Sequence, residues 1–503
     1  MTNILLGLSQ VFQPFNLMML VCGVLIGLIV GALPGLNDSI TMAVLIPVTF
    51  GMDPQVAMCL LIGIYVSACS GGSIPAILLK IPGTASSVVT CFDGQPMTQN
   101  GQAGLAMSIS TYSSVFGGIM SSLVLLFFSP FLAAQALKFG PPEYFMLAIA
   151  GMSTVVGMAK KSMAKNMLVM AFGLGISCIG ISPQRGYPRL TFGNAYLLEG
   201  IPLVPMLIGL FGITSILELA ETIRPGEGQI ETVQRVRVPF LDRKMIKRLL
   251  PTWLQSGLIG NIIGIIPGAG MIMAIYMAYD QVRRANPKLP FGTGVPEGVA
   301  APETANNAVV ASSMVPLLAL GIPGNSTSAL FLGALMIQGL RPGPSLYTDF
   351  PEIAYLLLAG FLIANIIMFP MMLIFCNYLA GKILLLRREI LSGMVLIFCV
   401  TGAFAVSNSV FNIWIIIVFG LIGYFMNKYR LPQSPLILAV VLGSMMEKNF
   451  LQSMVLSQGS LRIFFTRPIS LGLMIASVLF IAVPLYKNYI HPQCMSKKTS
   501  AEA

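Results

Sequence analysis

The segment GALPG at residues 31–35 recurs as GIIPG at residues 264–268, an offset of 233 residues. Further along the chain, the pattern Pro-x6-Pro-Gly occupies residues 75–83 and returns at residues 316–324, where the offset has grown to 241 residues. Self-similarity at a nearly fixed spacing is the sequence signature of an internal repeat. We therefore expect two related halves, each carrying two Pro-Gly breaks in the same order.

The composition around these breaks is that of a membrane protein. Hydrophobic residues make up 56% of the 503 residues, charged residues only 9%, and the mean hydropathy is +0.84. A soluble domain carries roughly 25% charged residues. The 50 Gly and 33 Pro residues are scattered through apolar sequence, as is typical of transporters, whose helices are interrupted at their binding sites. The sequence predicts an all-α polytopic integral membrane protein with about 10–12 transmembrane helices plus re-entrant or broken helices.

The net charge of +11 is explained by basic loops and does not indicate a nucleic-acid partner. The positive-inside rule makes these loops cytoplasmic, so the N-terminus is expected outside and the C-terminus in the cytoplasm. The loops at 160–165 and 283–288 are basic, whereas their counterparts near 407–411 and 50–55 contain no Lys or Arg. Corresponding loops on opposite sides favour two inverted-topology repeats over the alternative of a parallel repeat.

The duplication divides the chain into four parts. We expect a first membrane repeat over residues 1–220, a basic cytoplasmic connecting loop over 221–252, and a second membrane repeat over 253–450. A last transmembrane helix and a cytoplasmic tail then occupy residues 451–503. The segment 253–282 is split by its Pro-Gly break and predicts a re-entrant hairpin.

The Pro-Gly breaks are the places where an ion and an acid could bind. Proline removes a backbone donor and glycine permits unusual φ, so carbonyl groups before each break are free to ligate a hard cation. The helix that starts after the break presents free N–H groups and a positive dipole end, which suit a carboxylate. An isolated break could be a harmless kink, but four breaks paired by duplication favour a site.

Two groups of candidate residues follow from this chemistry. The cation-binding candidates are Pro34, Gly35, Asn37, Asp38, Ser39, Pro267, Gly268 and Gly270. The substrate-binding candidates are Gly72, Ser73, Pro82, Gly83, Thr84, Ser86, Asn306, Asn307, Pro323, Gly324, Asn325, Ser326 and Thr327.

The acidic residues in apolar sequence have alternative interpretations. Asp38 could be a cation ligand or proton carrier, or it could be the N-cap of a helix at a wet tip, because intramembrane acids are costly without a function. Glu297 and Glu303 could line the cavity between the breaks, or could cap a helix that begins at Thr304.

Enzyme and metal signatures are missing from the sequence. It contains no H-E-x-x-H, no G-x-S-x-G and no Walker motif, and its one histidine is His491. The eight cysteines form no C-x-x-C pair. We expect no enzymatic activity, no cofactor and no metal beyond a transported Na⁺. Transport energy is then expected from an ion gradient or from a separate subunit.

Long motifs in both halves resemble the large membrane subunit of tripartite tricarboxylate transporters, the TctA-like family. They lie in order from about residue 15 to 470 and read GALPGL (31–36), GGSIPAILLKIPGTASS (71–87), DGQPM (93–97), PETANNA (302–308), LGIPG (320–324) and QGLRPGP (338–344). The resemblance implies a bacterial inner-membrane permease that takes up carboxylates such as citrate, driven by a cation gradient. It also implies a small TctB-like membrane subunit and a periplasmic TctC-like solute-binding protein as partners.

The chain departs from the family pattern after its first break. The family usually continues Pro-Gly-Leu with a further small residue, where this chain has Asn37 and Asp38. The coupling ion therefore stays open between Na⁺ and H⁺. The alternatives to the tripartite permease are a stand-alone cation–carboxylate symporter, a passive channel and an intramembrane hydrolase.

Overall fold

The computed structural model describes residues 2–33, 36–157, 163–182, 186–222, 236–268, 270–383 and 388–486. Within these residues the chain is almost entirely helical, and the two strands found there form a single short hairpin. The prediction of an all-α polytopic membrane protein is confirmed. The inverted orientation of the repeats, and their boundaries, stay predictions.

The helices divide between two compact units. The first unit comprises Met1–Ala134, Val204–Ile265 and Gly270–Tyr424. Its helices in the first half are α1 (Thr2–Val11), α2 (Pro14–Gly31), α3 (Asp38–Leu45), α4 (Pro54–Gly71), α5 (Ser73–Leu79), α6 (Thr90–Gln99) and α7 (Ala103–Ala136), which ends just past the boundary of the unit. Helices α8 and α9 belong to the second unit. The first unit then continues with α10 (Leu203–Ile208), α11 (Thr214–Thr222), α12 (Arg243–Ile265), α13 (Gly270–Ala285), α14 (Pro296–Ser312), α15 (Met314–Leu320), α16 (Ser326–Ile337), α17 (Pro344–Asp349), α18 (Pro351–Tyr378), α19 (Ala380–Ile383), α20 (Arg388–Ala405) and α21 (Val410–Lys428).

The second unit comprises Gln135–Leu203, Ile266–Ala269 and Phe425–Ala503. It contains α8 (Pro141–Gly157), α9 (Met163–Ser177), β1 (Gly180–Ile181), β2 (Pro188–Arg189), α22 (Ser434–Leu456), α23 (Ile463–Thr466) and α24 (Pro468–Leu485). Two ion pairs cross-link its elements: Arg189 binds Glu447 through both terminal nitrogens, and Arg467 binds the buried Glu143 at 2.9 Å. The carboxylate of Glu447 raises the pKa of Arg189 above its usual value.

Eight helical runs in the described part of the chain are long and apolar enough to cross a membrane. They are Pro14–Gly31, Pro54–Leu79, Ala103–Ala136, Leu203–Glu221, Pro351–Tyr378, Val410–Lys428, Ser434–Leu456 and Pro468–Leu485. Shorter apolar helices, such as Ser326–Ile337, add to these, as expected of broken or re-entrant segments. The apolar 18-residue stretch within Pro54–Leu79 is fully buried, whereas only 11% of Pro468–Leu485 is buried. A chain region that is apolar and yet entirely buried is where a membrane protein can hold polar groups away from lipid.

Two helix starts differ from the sequence-based expectation. Helix α12 begins at Arg243, inside the segment expected to be a loop, because the carboxylate of Asp242 caps it by accepting from the N–H of Met245 at 2.8 Å. At 23 residues this arm is about 34 Å long, longer than a short re-entrant arm needs.

Helix α14 begins at Pro296 and not near Thr304, so the expectation of a helix starting at Thr304 is wrong. The helix includes Pro302 in its interior. Glu303 consequently lies in the middle of a fully buried helix, while Glu297 lies in its first turn and binds Arg248 through both carboxylate oxygens. That ion pair raises the pKa of Arg248.

Helix packing in the first unit repeats between the two halves. A Cβ atom on Gly27 of α2 would lie 2.6 Å from the carbonyl oxygen of Ile64 in α4. A Cβ atom on Gly260 of α12 would lie 2.6 Å from the carbonyl oxygen of Ala305 in α14. These pairs are related by the offsets of 233 and 241 residues read from the sequence. The duplication therefore extends from the motifs to backbone contacts that only glycine permits.

Candidate functional site

The break at Pro82-Gly83 packs against the backbone of two other segments of the first half. A Cβ atom on Gly83 would lie 2.7 Å from the carbonyl oxygen of Gly31 and 2.8 Å from the Cα atom of Gly72. The N–H of Gly83 donates to the carbonyl oxygen of Gly72 at 3.2 Å. Gly83 is therefore needed for close approach, and it fixes the break against the ends of α2 and α4.

The break at Pro323-Gly324 repeats this arrangement in the second half. A Cβ atom on Gly324 would lie 3.0 Å from the carbonyl oxygen of Gly264 and 2.9 Å from the Cβ atom of Ser313. Gly264 and Ser313 are the offset-related counterparts of Gly31 and Gly72. The second break of each half thus makes equivalent contacts with its own half of the chain.

Each of these breaks is followed by a capping box. The side chain of Thr84 pairs reciprocally with Ser87, whose hydroxyl accepts from the N–H of Thr84 at 3.2 Å. Asn325 does the same with Ser328: its side chain accepts from the N–H of Ser328 at 2.8 Å at the start of α16. Both breaks therefore begin a helical turn, whose first N–H groups include orphan donors.

The first half contributes a carboxylate to this region. Asn37 caps α3, because its side-chain oxygen accepts from the N–H of Ile40 at 2.7 Å, so the interpretation of Asp38 as the N-cap does not hold. The hydroxyl of Thr327 donates to the carboxylate of Asp38 at 2.5 Å. The hydroxyl of Ser39 lies 2.8 Å from the same Thr327 hydroxyl. The structure thus brings two cation-binding candidates together with a substrate-binding candidate from the opposite half.

A tyrosine also connects the two halves. The hydroxyl of Tyr65, in the middle of α4, lies 3.1 Å from the hydroxyl of Ser313 and accepts from the side-chain amide of Asn325 at 2.9 Å. Tyr65 is completely buried. The break after Pro323 is consequently held by a side chain from the first half as well as by its own cap.

The two asparagines of α14 face α4. The hydroxyl of Ser70 donates to the side-chain oxygen of Asn307 at 2.8 Å, and the amide of Asn306 donates to the carbonyl oxygen of Cys69 at 3.3 Å. The side-chain oxygen of Asn306 is buried and has no hydrogen-bond partner among the described residues. Buried polar atoms are normally paired, so this oxygen can accept from a bound group or ligate a cation.

The other substrate-binding candidates lie around the same breaks. Ser73 accepts from the hydroxyl of Ser110 at 2.7 Å, and the hydroxyls of Thr84 and Ser86 lie 3.0 Å apart. Ser86 is buried, as is Pro323, whereas Pro82 and Ser326 are partly exposed.

The first break of each half is described only in part or belongs to the second unit. Pro34 and Gly35 lie outside the described residues. Pro267 and Gly268 belong to the second unit, where the carbonyl oxygen of Pro267 accepts from the hydroxyl of Thr154 at 2.6 Å. Gly270 begins α13 with a φ of +72°, a conformation that favours glycine. The cation-binding role of these residues stays a prediction.

Sequence reasoning missed three polar residues of this region. Tyr65 and Ser70 are polar residues on a mostly apolar helix, which was a usable signal. Ser313 is the offset-related counterpart of Gly72, and the alignment of the two halves would have found it.

Comparisons with known proteins now bear on this arrangement. The sequence model of the Tripartite tricarboxylate transporter TctA family matches residues 17–438, which include every described residue of the region above. The chain belongs to the TctA family. Among its relatives, an uncharacterized 52.8 kDa protein in the TAR-I ttuC' 3' region of Agrobacterium vitis is 33% identical over 486 residues, 96% of each chain. A second, an uncharacterized protein in the TAR-II ttuC' 3' region of the same organism, is 35% identical over 234 residues, 46% of this chain and 96% of the relative.

No solved structure matches this chain. Membership in the TctA family, together with the eight apolar helices, identifies a multi-pass membrane component of the tripartite tricarboxylate transporter type.

Proposed function

We propose that this chain is the large permease subunit of a tripartite, binding-protein-dependent secondary transporter that takes up a carboxylate, a tricarboxylate such as citrate or a related organic acid. A gradient of Na⁺ or H⁺ drives the uptake. The observation that carries the proposal is the hydrogen bond between Asp38 of one half and Thr327, just after the break of the other half. A site shared between repeats is where a secondary transporter binds its substrate and coupling ion.

The residues offer suitable chemistry for both solutes. Asp38 and Ser39 supply oxygen ligands for a hard cation. The helix that starts at Ser326 and the hydroxyls of Thr84 and Ser86 supply donors for a carboxylate. A cation bound beside Asp38 lowers the cost of bringing an anionic substrate to the neighbouring donors, which couples the two solutes.

The proposed partners are a small TctB-like membrane subunit and a periplasmic TctC-like solute-binding protein, as the family implies. We place the chain in the bacterial inner membrane, with a periplasmic N-terminus and a cytoplasmic C-terminus, because of its basic loops. Cysteine labelling in whole cells tests this orientation: positions 160–165 and 283–288 should react only with reagents that enter the cytoplasm.

Uptake into proteoliposomes tests the proposed function. The purified chain is reconstituted with the two partner proteins, and accumulation of labelled citrate and related acids is measured under an inward Na⁺ or H⁺ gradient. Accumulation that depends on a gradient and on the binding protein supports the proposal. Accumulation without the partners indicates a stand-alone symporter, whereas equilibration without accumulation indicates a channel. No uptake of any acid under either gradient would contradict transport.

A further inference from the structure

Glu303 is a carboxyl group that the proposed site does not use. It lies in the middle of α14 and its side chain is completely buried. The hydroxyl of Thr90 in α6 donates to one carboxyl oxygen at 2.5 Å, and the hydroxyl of Ser114 in α7 lies 3.2 Å from the other. Three separate helices therefore meet at this one side chain.

No cation compensates Glu303 within the described residues. The ion pairs found there involve Arg189, Arg248, Arg284 and Arg467, and none of these reaches Glu303. The neighbouring titratable groups are also not basic. They are the thiols of Cys69 on α4 and Cys91 on α6. The carboxylate of Asp93, also on α6, packs against Gly298 of α14 and accepts a hydrogen bond from the hydroxyl of Tyr279 on α13. Lys80 interacts electrostatically with Cys91 of this cluster.

An ionised carboxylate without a cation is very costly in such a place, and buried acids in proteins become neutral instead. Two ligands can make Glu303 neutral, a proton or a metal cation. A hard metal cation requires several oxygen ligands and the space between them. A proton needs neither, because the O–H of the carboxyl can donate to the Ser114 oxygen that already lies 3.2 Å away.

The surroundings also connect Glu303 to the candidate site. Ser110 lies one helical turn before Ser114 on α7, and its hydroxyl donates to Ser73, a substrate-binding candidate. The amide of Asn307, a second candidate, donates to the backbone carbonyl of Glu303 at 3.0 Å. A movement of the candidate site therefore changes the environment of the Glu303 carboxyl, both through α14 and through the hydroxyls of Ser73, Ser110 and Ser114.

We propose that the side chain of Glu303 binds a proton that is coupled to transport in addition to the cation at Asp38: its carboxyl is protonated in the described conformation and releases the proton to the other side of the membrane when the site reopens. The proton is bound at a carboxyl oxygen facing Ser114, and the group returns as a carboxylate when the proton leaves. This inference rests on the proposed transport function and adds a proton site to the cation site at Asp38.

The first test does not require transport. Infrared difference spectra of the purified full-length chain, recorded across a pH series, report the carbonyl stretch of protonated carboxyl groups. We expect a band that persists at neutral pH in the wild type and is missing in Glu303→Gln.

Thr90→Val keeps the carboxyl but removes one hydroxyl, so it should shift the same band. This variant replaces Glu303→Gln in the test if Glu303→Gln does not accumulate. Glu297→Gln on the same helix is the matched control and should leave the band unchanged, since the carboxylate of Glu297 is paired with Arg248. Absence of the band in the wild type, or its survival in Glu303→Gln, would overturn the proposal.

The second test uses the reconstituted transporter. Glu303→Gln mimics the protonated group, so it should still exchange labelled substrate across the membrane but lose at least about tenfold in accumulation driven by a pH gradient. An accumulation that follows the pH gradient as in the wild type would refute the role of Glu303. The role of Glu303 would also be refuted if accumulation by Glu303→Gln no longer responded to a Na⁺ gradient but still responded to a pH gradient. A wild-type protein that transports no acid at all contradicts the proposed function instead, and the infrared result then stands by itself.

Discussion

In the first half of the chain Asp38 begins the helix after the first break, whereas the offset-related residue in the second half is Met271. In the related helices α4 and α14 the carboxylate is in the second half instead, because Glu303 of α14 corresponds to the apolar Ile62 of α4. The backbone contacts of Gly83 and Gly324 are nevertheless equivalent. The comparison shows that duplication supplies the scaffold, while Asp38 in the first half and Glu303 in the second are carboxylates at places where the other half is apolar.

The largest expected effect tests the shared scaffold. Gly83→Val and Gly324→Val each place side-chain atoms against backbone that lies within 3.0 Å of the new Cβ, so each variant should lose about 2 kcal/mol or more in free energy of unfolding, or fail to accumulate. Thermal unfolding in detergent measures the loss. Gly175→Ala is the control, because nothing lies within 4 Å of its Cβ position. Equal stability of Gly83→Val and Gly175→Ala would refute the equivalence of the two breaks.

The next effect tests the unequal carboxylates. Asp38→Asn removes the charge that we assign to the cation, so initial uptake at a fixed gradient should fall about tenfold or more. Met271→Leu is the matched control at the offset-related position, and as a volume-conserving change it should cost less than about 1.5 kcal/mol of stability and leave uptake near the wild-type rate. Similar losses in the two variants would mean that the charge of Asp38 has no special role.

A smaller effect should separate substrate from cation binding. Ser86 is the offset-related counterpart of Thr327, but it lies beside Thr84 and not beside a carboxylate. Ser86→Ala removes one hydroxyl donor, so the half-saturating substrate concentration should rise about two- to tenfold. The half-saturating cation concentration should stay unchanged. Uptake kinetics at varied substrate and varied cation measure both, and a change in the cation value alone would contradict this assignment.

The smallest effect concerns the tyrosine that connects the halves. Tyr65→Phe loses the hydrogen bonds to Ser313 and Asn325, so the free energy of unfolding should fall by about 1 kcal/mol. Tyr112→Phe is the control, since the hydroxyl of Tyr112 makes no hydrogen bond with the described residues, and it should unfold like the wild type. Equal free energies of unfolding for Tyr65→Phe and Tyr112→Phe would mean that the hydroxyl of Tyr65 does not stabilise the break.

The sequence predicted much of this arrangement, because helix breaks and repeats are local signals. The motifs located the breaks at Gly83 and Gly324. The sidedness that follows from the charge pattern of the loops stays a prediction. Contacts between distant segments carry no such signal. The pairing of Asp38 with Thr327 depends on how α3 packs against α16, and hydropathy does not encode that choice. Capping of a helix that begins at Thr304 was one of two interpretations of Glu303, and it is wrong because α14 begins at Pro296 and continues through Pro302. A proline inside a buried helix is tolerated when neighbours satisfy the freed carbonyl.

The central claim is that the two halves build one site at Asp38 and Thr327, and a double-mutant cycle tests it most directly. Asp38→Asn, Thr327→Val and the double variant are reconstituted, and the cation dependence of uptake is measured for each. If the two residues act together, the double variant should be little worse than Asp38→Asn alone, with a coupling of about 0.5–3 kcal/mol. Strictly additive losses in the cycle would contradict the account.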